Sequence, residues 1–441
     1  MMRDWLKSSL FGPVATPTIV VSANGATFGP GDYSCDGTAD EVQINAAIQQ
    51  LPTIGGRIQL TEGQFNLSSP ILTYRDVASP GCSVAIVGCG MNATRIKLAS
   101  GANCNGISHL PNGTNNSGWL TIQELTLDGN IANNTAGNGI YMYASGGRAL
   151  FDTRINNVMC ISWKGRGIYS ESSSWCLAII NSITEFCGND GTFIQGGQNY
   201  INGLYASYND SEGLFLNHCT GCLIENVYLL DNGVDAVYMD QCDRCNLANI
   251  FMKDYGTHTS GKSGIVVDKD SAGNMFSNIN IQGFSGGVSG TTIANPSYGI
   301  QLLGSRNVFT GVRVRNINFN PIIISNQAAA NIQSITVLTK TIVVTGNLSS
   351  YLHGQKVLLA GTAAADGTYS IHSATYSTPN TTIVVHETIA GADAGVLGTL
   401  TPTAADNVIQ GIVAQNGANA DETISDAGTT NVVTSPVYHH D

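Results

Sequence analysis

The feature that most limits how this chain can fold is a repeat of about 23 residues. A polar residue, then Gly or Ala, then alternating apolar residues recur, as in "DGTFI" (190–194), "EGLFL" (212–216) and "DAVYM" (235–239). The starts of these segments are 22 and 23 residues apart. A second alternating segment precedes each one, as in "ENVYL" (225–229) and "ANIFM" (248–252). The pattern predicts a solenoid of short parallel strands, in which like positions stack about 4.8 Å apart and share one core.

Two CxxC pairs, Cys219 with Cys222 and Cys242 with Cys245, lie in neighbouring repeats. The separation of the pairs falls within the spacing of four-cysteine zinc sites. However, Cys219 and Cys242 are also one local repeat of 23 residues apart, as are Cys222 and Cys245. We therefore predict two columns of buried or half-buried thiols, which Cys176 extends if it shares a column. Zinc or another soft metal, and a disulfide, are the alternatives. We assign no metal and no cofactor to the chain.

The composition agrees with a strand-rich chain and excludes some functions. Charged residues make up 11% of the sequence, against about 25% in ordinary globular proteins, and there are 51 glycines. Few charges and many glycines disfavour long solvated helices and favour strands joined by tight turns. The net charge of −12 argues against a nucleic-acid partner. There is no apolar run of about 18 residues, so we expect no membrane span.

The repeat divides the chain into segments. Residues 1–35 are a lead-in that we expect to be an attachment segment without a signal peptide, and residues 36–330 form the solenoid. A helix over 38–51 should cap it, since Thr38 and Glu41 have the spacing of a capping box. Residues 331–402 break the repeat with strand runs and Gly, Asn and Asp turns, which predicts an inserted antiparallel barrel or sandwich. Residues 403–441 are the final coils and the tail. The insert has three candidate roles: glycan contact, subunit contact, or none.

The N-terminal stretch "DGTADEVQINAAIQQLP…GGRIQLTEGQFNLSSPI", with "LTLDGN" (125–130), resembles the right-handed parallel β-helix group of pectate-lyase-like proteins. It looks most like the branch of phage tailspikes and surface-polysaccharide depolymerases. The resemblance covers roughly residues 16 to 325, with a return at 406–436. It implies an all-β, single-stranded right-handed parallel β-helix. It also implies a polysaccharide partner, a homotrimer, and a place on a virion or cell exterior, with residues 1–35 as a possible tail attachment.

The polar residue before each Gly or Ala forms a column that contains Asp190, Glu212 and Asp235 on successive repeats. Carboxylates about 4.8 Å apart repel, which raises at least one pKa. Glycoside hydrolysis needs two carboxyls, about 5–5.5 Å apart for retention of configuration and about 6.5–9.5 Å apart for inversion. We predict these three as acid and base candidates. The alternative is that they are ordinary turn residues, which favour side-chain bonds to the backbone.

Aromatic residues follow the column at the alternating position that should face outward. They are Tyr141, Tyr169, Phe193, Phe215 and Tyr238. With Arg166 they are the predicted substrate-binding residues, although a subunit interface would also be rich in tyrosine. The predicted function is a tailspike-like protein that binds and cleaves a surface polysaccharide by hydrolysis. A non-catalytic structural or glycan-binding protein is the first alternative. A calcium-dependent uronate lyase or epimerase, which would use Arg166 beside the acids, is the second.

Overall fold

The structure is a computed structural model in which two compact units divide the chain, residues 1–188 and residues 189–441. It describes residues 17–27, 29–74, 83–111, 117–144, 149–259, 261–283, 298–315, 317, 322–325, 329–348, 356–362, 364–390, 397–416, 425–426, 428, 431–434 and 437–440. Residues 1–16 and 28 of the proposed attachment segment, residues 1–35, therefore lie outside the described residues.

Among its described residues, the first unit is built of short strands that pair in parallel, together with one helix and one turn of 3₁₀-helix at Ile131–Asn133. Its strands are β1 (Thr18–Ser22), β2 (Tyr33–Ser34), β3 (Gly55–Leu60), β4 (Gly63–Leu67), β5 (Ile71–Leu72), β6 (Ser83–Val87), β7 (Thr94–Leu98), β8 (Ile107–His109), β9 (Ser117–Gly118), β10 (Leu120–Asp128), β11 (Ile140–Met142), β12 (Leu150–Phe151), β13 (Arg154–Ile161), β14 (Ile168–Trp175), β15 (Ala178–Ile180) and β16 (Ile183–Glu185).

Like residues stack in this unit because the strands of successive coils are in register. Leu125 of β10 lies beside Val158 of β13, and Ile140 of β11 lies beside Ile168 of β14. All four side chains are buried. A core of stacked aliphatic columns follows, as the repeat predicts.

The predicted capping helix is present as α1 (Glu41–Gln50), but the capping box is not. Asp40, and not Thr38, precedes the helix, and Glu41 accepts a hydrogen bond from the backbone N–H of Ser68 at 3.0 Å. The Asp40 carboxylate accepts from the backbone N–H groups of Gly37 and Asn66. The helix therefore begins three residues later than the spacing of Thr38 and Glu41 predicts, because Glu41 bonds to Ser68 in a distant part of the same chain and not to Thr38. The helix is too short to cross a membrane, and no other described helix could do so.

The second unit continues with parallel strands and adds six antiparallel ones. Its parallel strands are β17 (Thr192–Gly197), β18 (Tyr200–Asn202), β19 (Tyr205–Ser207), β20 (Leu214–Thr220), β21 (Leu223–Leu230), β22 (Val237–Asp240), β23 (Asn246–Lys253), β24 (Ser263–Val267), β25 (Met275–Gln282), β26 (Tyr298–Leu302), β27 (Val308–Arg315), β28 (Ile322–Ile324), β35 (Val408–Asn416), β36 (Ser425–Asp426), β37 (Val432–Thr434) and β38 (Val437–His440).

The antiparallel strands form a closed barrel within residues 330–403. They are β29 (Ala330–Thr336), β30 (Thr341–Thr345), β31 (Lys356–Thr362), β32 (Gly367–Ser377), β33 (Asn380–Val385) and β34 (Leu397–Thr403). The barrel has its own apolar core, which includes Ile342, Leu359 and Ile383. Because Val312 of β27 pairs directly with Ile412 of β35, the barrel is inserted between two adjacent coils, as the break in the repeat predicts.

A ladder of asparagines holds one turn of successive coils in this unit. Asn226, Asn249 and Asn278 have φ angles of 55°, 55° and 52°, in the left-handed region that asparagine tolerates better than most residues. The Asn249 amide donates to Asn226 Oδ1 at 3.2 Å, and the Asn278 amide donates to Asn249 Oδ1 at 2.8 Å. The repeat therefore fixes backbone conformation as well as core packing.

Candidate functional site

The first candidate site is a pair of carboxyl groups at a corner between coils of the second unit. The Gly191 N–H donates to the Glu212 carbonyl at 2.9 Å, which places Asp190 and Glu212 one above the other. Their side chains hydrogen-bond to each other, and the Ser211 hydroxyl also donates to Glu212. Two carboxyl groups can hydrogen-bond only if one of them carries a proton, so this contact favours the protonated form of Glu212.

The pKa of Glu212 is strongly raised by its surroundings. Burial, followed by the hydrogen bond and negative charge of Asp190, raises the pKa of Glu212 from 4.5 to about 7, while the Ser211 hydroxyl opposes the shift. The Glu212 side chain is half-buried, whereas Asp190 is 1% exposed. Glu212 is therefore the carboxyl that can exchange a proton with something outside the protein.

Asp235, on the next coil, has different surroundings. It is 3% exposed, and its Oδ1 accepts a hydrogen bond from the Ser263 backbone N–H at 2.6 Å. The Lys262 ammonium lies 3.8 Å from its Oδ2. Burial raises the pKa of Asp235, and the Ser263 and Lys262 contacts oppose this rise. The structure therefore gives Asp235 one partner on the backbone of the next coil and one cationic partner.

The same type of bond between coils is present at the equivalent repeat position within the first unit. Asn138 Oδ1 accepts from the Arg166 N–H at 2.7 Å, and Asn105 Oδ1 accepts from the Asn138 N–H at 2.9 Å. If the column residues are ordinary turn residues, their side chains should hydrogen-bond to the backbone of a neighbouring coil. Asp235 makes such a bond, to the Ser263 N–H.

The carboxyl column and the aromatic residues face opposite ways. Asp190 lies two residues before β17 and is 1% exposed, and Asp235 lies two residues before β22 and is 3% exposed, whereas Phe193 on β17 is half-buried. The column thus points toward the interior of its coils, and Glu212 alone among the three acids is partly exposed. The expected groove, with the acids directly beside the rings, is not formed at Asp190 or Asp235.

The aromatic residues of the second unit stack as the alternation predicts. The ring centroids of Phe193 and Phe215 are 4.8 Å apart, and those of Phe215 and Tyr238 are 5.0 Å apart. All three side chains are half-buried. They form a row on the outward face of β17, β20 and β22.

The tyrosines of the first unit form a separate cluster. Tyr141 and Tyr169 have ring centroids 5.3 Å apart, and the Arg166 guanidinium lies 4.3 Å from the Tyr169 centroid. The Tyr141 hydroxyl donates to Glu171, and Tyr143 stacks parallel to Tyr141 at 6.5 Å. Sequence analysis did not identify Tyr143 or Glu171. Each lies two residues after a predicted aromatic residue, so the alternation of side chains along a strand could have identified it as facing the same way.

A second pair of carboxyls, Asp240 and Asp268, lies on the outward face of the second unit and was missed from the sequence. Asp240 is two residues beyond Tyr238 on β22, and Asp268 directly follows β24. The Tyr238 hydroxyl donates to Asp268 Oδ2 at 3.1 Å. The Asn217 amide donates to Asp240 Oδ2 at 3.2 Å. These acids adjoin the row of rings, which the corner acids do not.

The four cysteines of the CxxC pairs are buried free thiols. The Cys219 thiol donates to the Ile194 carbonyl at 3.5 Å, and the Cys242 thiol donates to the Leu216 carbonyl at 3.4 Å. Contacts with Cys222 and Cys242, together with burial, raise the pKa of Cys219 well above its ordinary range. Throughout the described residues, no group of three or more His, Cys, Asp or Glu side chains is placed to hold a metal ion. The thiols therefore occupy stacked positions of the core.

Comparison with known proteins agrees with this fold. Residues 112–281 match the family model described as a right handed beta helix region. The match covers less than half of the chain, and together with the parallel strand pairing it confirms the right-handed parallel β-helix fold that the sequence resemblance implies. A search of curated proteins finds no match.

Among solved structures, a variant of the catalytic domain of a GH87 alpha-1,3-glucanase in complex with nigerose is similar, with a TM-score of 0.51 and 13% identity. That likeness covers 90% of this chain and 66% of the glucanase chain. The mannuronan C-5 epimerase A-module of Azotobacter vinelandii has a TM-score of 0.46 and 19% identity, over 68% of this chain and 91% of that one. A tailspike protein from Escherichia coli O157:H7 bacteriophage CAB120 has a TM-score of 0.44 and 12% identity, over 82% and 61%. At these identities the likeness concerns the fold.

Proposed function

We propose that this protein binds a polysaccharide and cleaves it by glycoside hydrolysis, in the manner of a tailspike-like depolymerase. The observation that carries the proposal is Glu212, a half-buried carboxyl whose pKa of about 7 lies near neutral pH. A general acid works best when its pKa is close to the working pH, because it then holds a proton that it can still release. Glycosidases obtain such an acid by burying one carboxyl and placing a second one nearby.

In this proposal the three column residues have different roles. Glu212 donates its proton to the leaving oxygen of the scissile bond. Asp190 positions that proton, because its charge and hydrogen bond keep Glu212 protonated. Asp235 is the proposed second carboxyl; because it is almost fully buried, its proposed contribution is its negative charge, which the Ser263 N–H and the Lys262 ammonium favour.

The proposed substrate-binding residues are the two sets of rings. Phe193, Phe215 and Tyr238 offer half-exposed aromatic faces in the second unit. Tyr141 and Tyr169, with the Arg166 cation beside them, do so in the first. Aromatic faces suit the apolar C–H face of a sugar ring and lose little entropy on binding, since their side chains are already packed against one another.

Assembly as a homotrimer, and attachment to a virion or an exterior surface through residues 1–35, are also proposals. They are supported by the sequence resemblance to phage tailspikes. Light scattering on the purified chain tests the first, because a mass of three chains is expected. Loss of virion incorporation when residues 1–16 are removed would test the second.

The direct test of the function is turnover on a panel of neutral and uronate-containing bacterial polysaccharides. New reducing ends and the ultraviolet absorbance of unsaturated uronates are followed together. Reducing ends without absorbance, lost in Glu212→Gln, support hydrolysis at this site. Absorbance that a chelator abolishes would instead support a calcium-dependent uronate lyase. Glu225→Gln, the same change at a half-buried position on β21, is the matched control.

One observation favours glycan binding without cleavage as a second candidate. Asp190 and Asp235 are almost fully buried, so in the described conformation only Glu212 of the three can contact a substrate. In that case the protein binds polysaccharides through the aromatic side chains named above and does not cleave them. Retained binding and no new reducing ends across the panel would support it.

A further inference from the structure

The strands β23, β25 and β27 of the second unit have an outward face that the proposed function does not use. They belong to a different sheet from β17, β20 and β22, which carry the row of rings. In the last four residues of each of the three strands, buried and outward side chains alternate. The register of the strands places six outward side chains in two neighbouring columns, which are Phe251, Asn280 and Arg313, and Lys253, Gln282 and Arg315. Positions within a column are about 4.8 Å apart, and the columns are about 7 Å apart along the strands.

Two arginines on this face lack an acidic partner. Arg313 is exposed and Arg315 is half-buried. Lys253, at the position equivalent to Arg315 two strands away, lies 3.2 Å from the Asp254 carboxylate. Among the described residues, no carboxylate forms such an ion pair with Arg313 or Arg315. The chain has 31 acidic residues for 19 basic ones, so the absence of a partner does not follow from a shortage of carboxylates.

Two polar atoms in the same columns are buried without a hydrogen-bond partner. Arg315 Nη2 donates to Gln282 Oε1 at 3.4 Å, but the Arg315 Nε–H has no acceptor among the described residues. In the adjacent column the Asn280 Oδ1 has no donor within the described part of the chain. Buried polar groups in folded proteins are paired with protein, water or ligand, because an unpaired one costs free energy. This face therefore needs an acceptor at Arg315 and a donor at Asn280.

The groups on this face match the chemistry of an acidic sugar. The guanidinium group pairs best with a planar anion such as a carboxylate, and a sugar hydroxyl can donate to the Asn280 oxygen. Beside Asn280, the stacked rings of Tyr205, Tyr228 and Phe251, with centroids 5.3 and 4.6 Å apart, end at Phe251. The Phe251 ring provides an apolar contact for the C–H groups of a sugar. A neutral sugar offers hydroxyls and C–H groups but no anion for the two arginines.

We propose that Phe251, Asn280, Arg313 and Arg315 form a binding site for a carboxylate-bearing sugar residue of a polysaccharide, separate from the cleavage site proposed at Glu212. The sugar carboxylate accepts from the Arg315 Nε–H and pairs with Arg313, and a sugar hydroxyl donates to Asn280 Oδ1. The site holds the polymer and breaks no bond, which raises the local concentration of polysaccharide at the protein. The proposal rests on the proposed function only in taking a glycan as the ligand.

The test is calorimetric titration of the full chain with oligogalacturonate and oligomannuronate, each beside its methyl ester. The titrations use Glu212→Gln, so that cleavage does not consume the ligand. We expect an acid form to bind and its uncharged ester to bind about 10-fold or more weakly. Adding Arg313→Gln or Arg315→Gln should each weaken binding of the acid about 10-fold, because a charge-assisted hydrogen bond is lost. Arg315→Lys should weaken it too, since lysine keeps the charge but lacks the Nε–H.

The matched control is Arg244→Gln, which removes the same charge from an exposed arginine that pairs with Asp243 and should leave the affinity unchanged. Circular dichroism confirms that each variant is folded, and Arg313→Gln, at an exposed position, tests the site even if the changes at Arg315 unfold the chain.

Three results would overturn the proposal: no binding of either acid, equal affinity for acid and ester, or unchanged affinity in the variants of Arg313 and Arg315. A smaller mass of Arg313→Gln in light scattering, with unchanged glycan affinity, would assign the arginines to a contact between copies of the chain. Binding and cleavage are measured separately. A protein that binds the acids through these arginines but cleaves no glycan supports this site and contradicts the proposed function, whereas cleavage without such binding contradicts this site alone.

Discussion

The raised pKa of Glu212 predicts a specific dependence of stability on pH. Glu212 has a pKa of about 7 in the folded protein and an ordinary value of 4.5 when unfolded. Because the folded-state pKa is raised, the folded protein binds the proton more tightly than the unfolded chain does. The stabilisation is therefore complete below about pH 4.5 and is lost as the pH rises toward 7.

The magnitude follows from these two pKa values. Between about pH 5 and about pH 8, the unfolded chain releases its Glu212 proton early and the folded protein releases it late, which lowers the free energy of unfolding by about 2 to 3 kcal/mol. Glu212→Gln removes the titration and keeps a neutral, hydrogen-bonding side chain. The free energy of unfolding of the variant should therefore fall by about 2 to 3 kcal/mol less than that of the wild type over that range.

Urea unfolding followed by circular dichroism at the two pH values measures this difference. All other titrating groups are common to the two proteins, so the comparison isolates Glu212. Glu225→Gln provides the control and should keep the pH dependence of the wild type. Identical pH dependence in wild type and Glu212→Gln would refute the reasoning, because it would mean that the folded protein does not hold that proton.

Three further predictions concern other parts of the molecule. Asn249→Ala should lower the free energy of unfolding, measured in urea, by about 1–2 kcal/mol, because it breaks two bonds of the asparagine ladder and puts alanine at a φ of 55°. Ser277→Ala, at a partly buried position outside the ladder, should lower it less, and equal effects of the two changes would contradict the argument. Tyr238→Ala should weaken glycan binding by about 10-fold in calorimetry through loss of a stacking face, whereas unchanged affinity would exclude that ring from the site. The buried CxxC thiols should stay unreactive toward a colorimetric thiol reagent until urea unfolds the chain, and fast labelling of the native protein would contradict their burial.

Much of the fold could be predicted from the sequence because the repeat length gives the register of strands on successive coils directly. Segments such as "EGLFL" and "DAVYM" give the strand, its inward face and its partner on the next coil. The inserted barrel was predictable for the opposite reason, since its segments lack the repeat. The helix start was not predictable from the spacing of Thr38 and Glu41, because Glu41 bonds to Ser68, which is distant in sequence.

The candidate site was predictable only in part. The repeat identifies Asp190 and Glu212 as neighbours, and repulsion predicts that one of their pKa values is raised. However, the alternating pattern does not extend to Asp190, which precedes β17 and is 1% exposed, whereas Phe193 is half-buried, so the sequence pattern could not show whether the two share a surface. The pair of Asp240 and Asp268 could not be found by the period, because 28 residues separate them where the local repeat has 23. Because extra residues lie between β22 and β24, the neighbouring positions of Asp240 and Asp268 can be recognised only from the register in which these two strands pair.

The central claim is that Glu212 donates a proton to a glycosidic bond with the help of Asp190. The measurement that tests it most directly is kcat/KM for release of reducing ends as a function of pH, in wild type and Asp190→Asn. We predict that the wild-type rate falls above about pH 7, where Glu212 loses its proton, and that the fall begins at lower pH in Asp190→Asn. A rate that stays constant well above pH 7, or a fall at the same pH in both proteins, would contradict the claim.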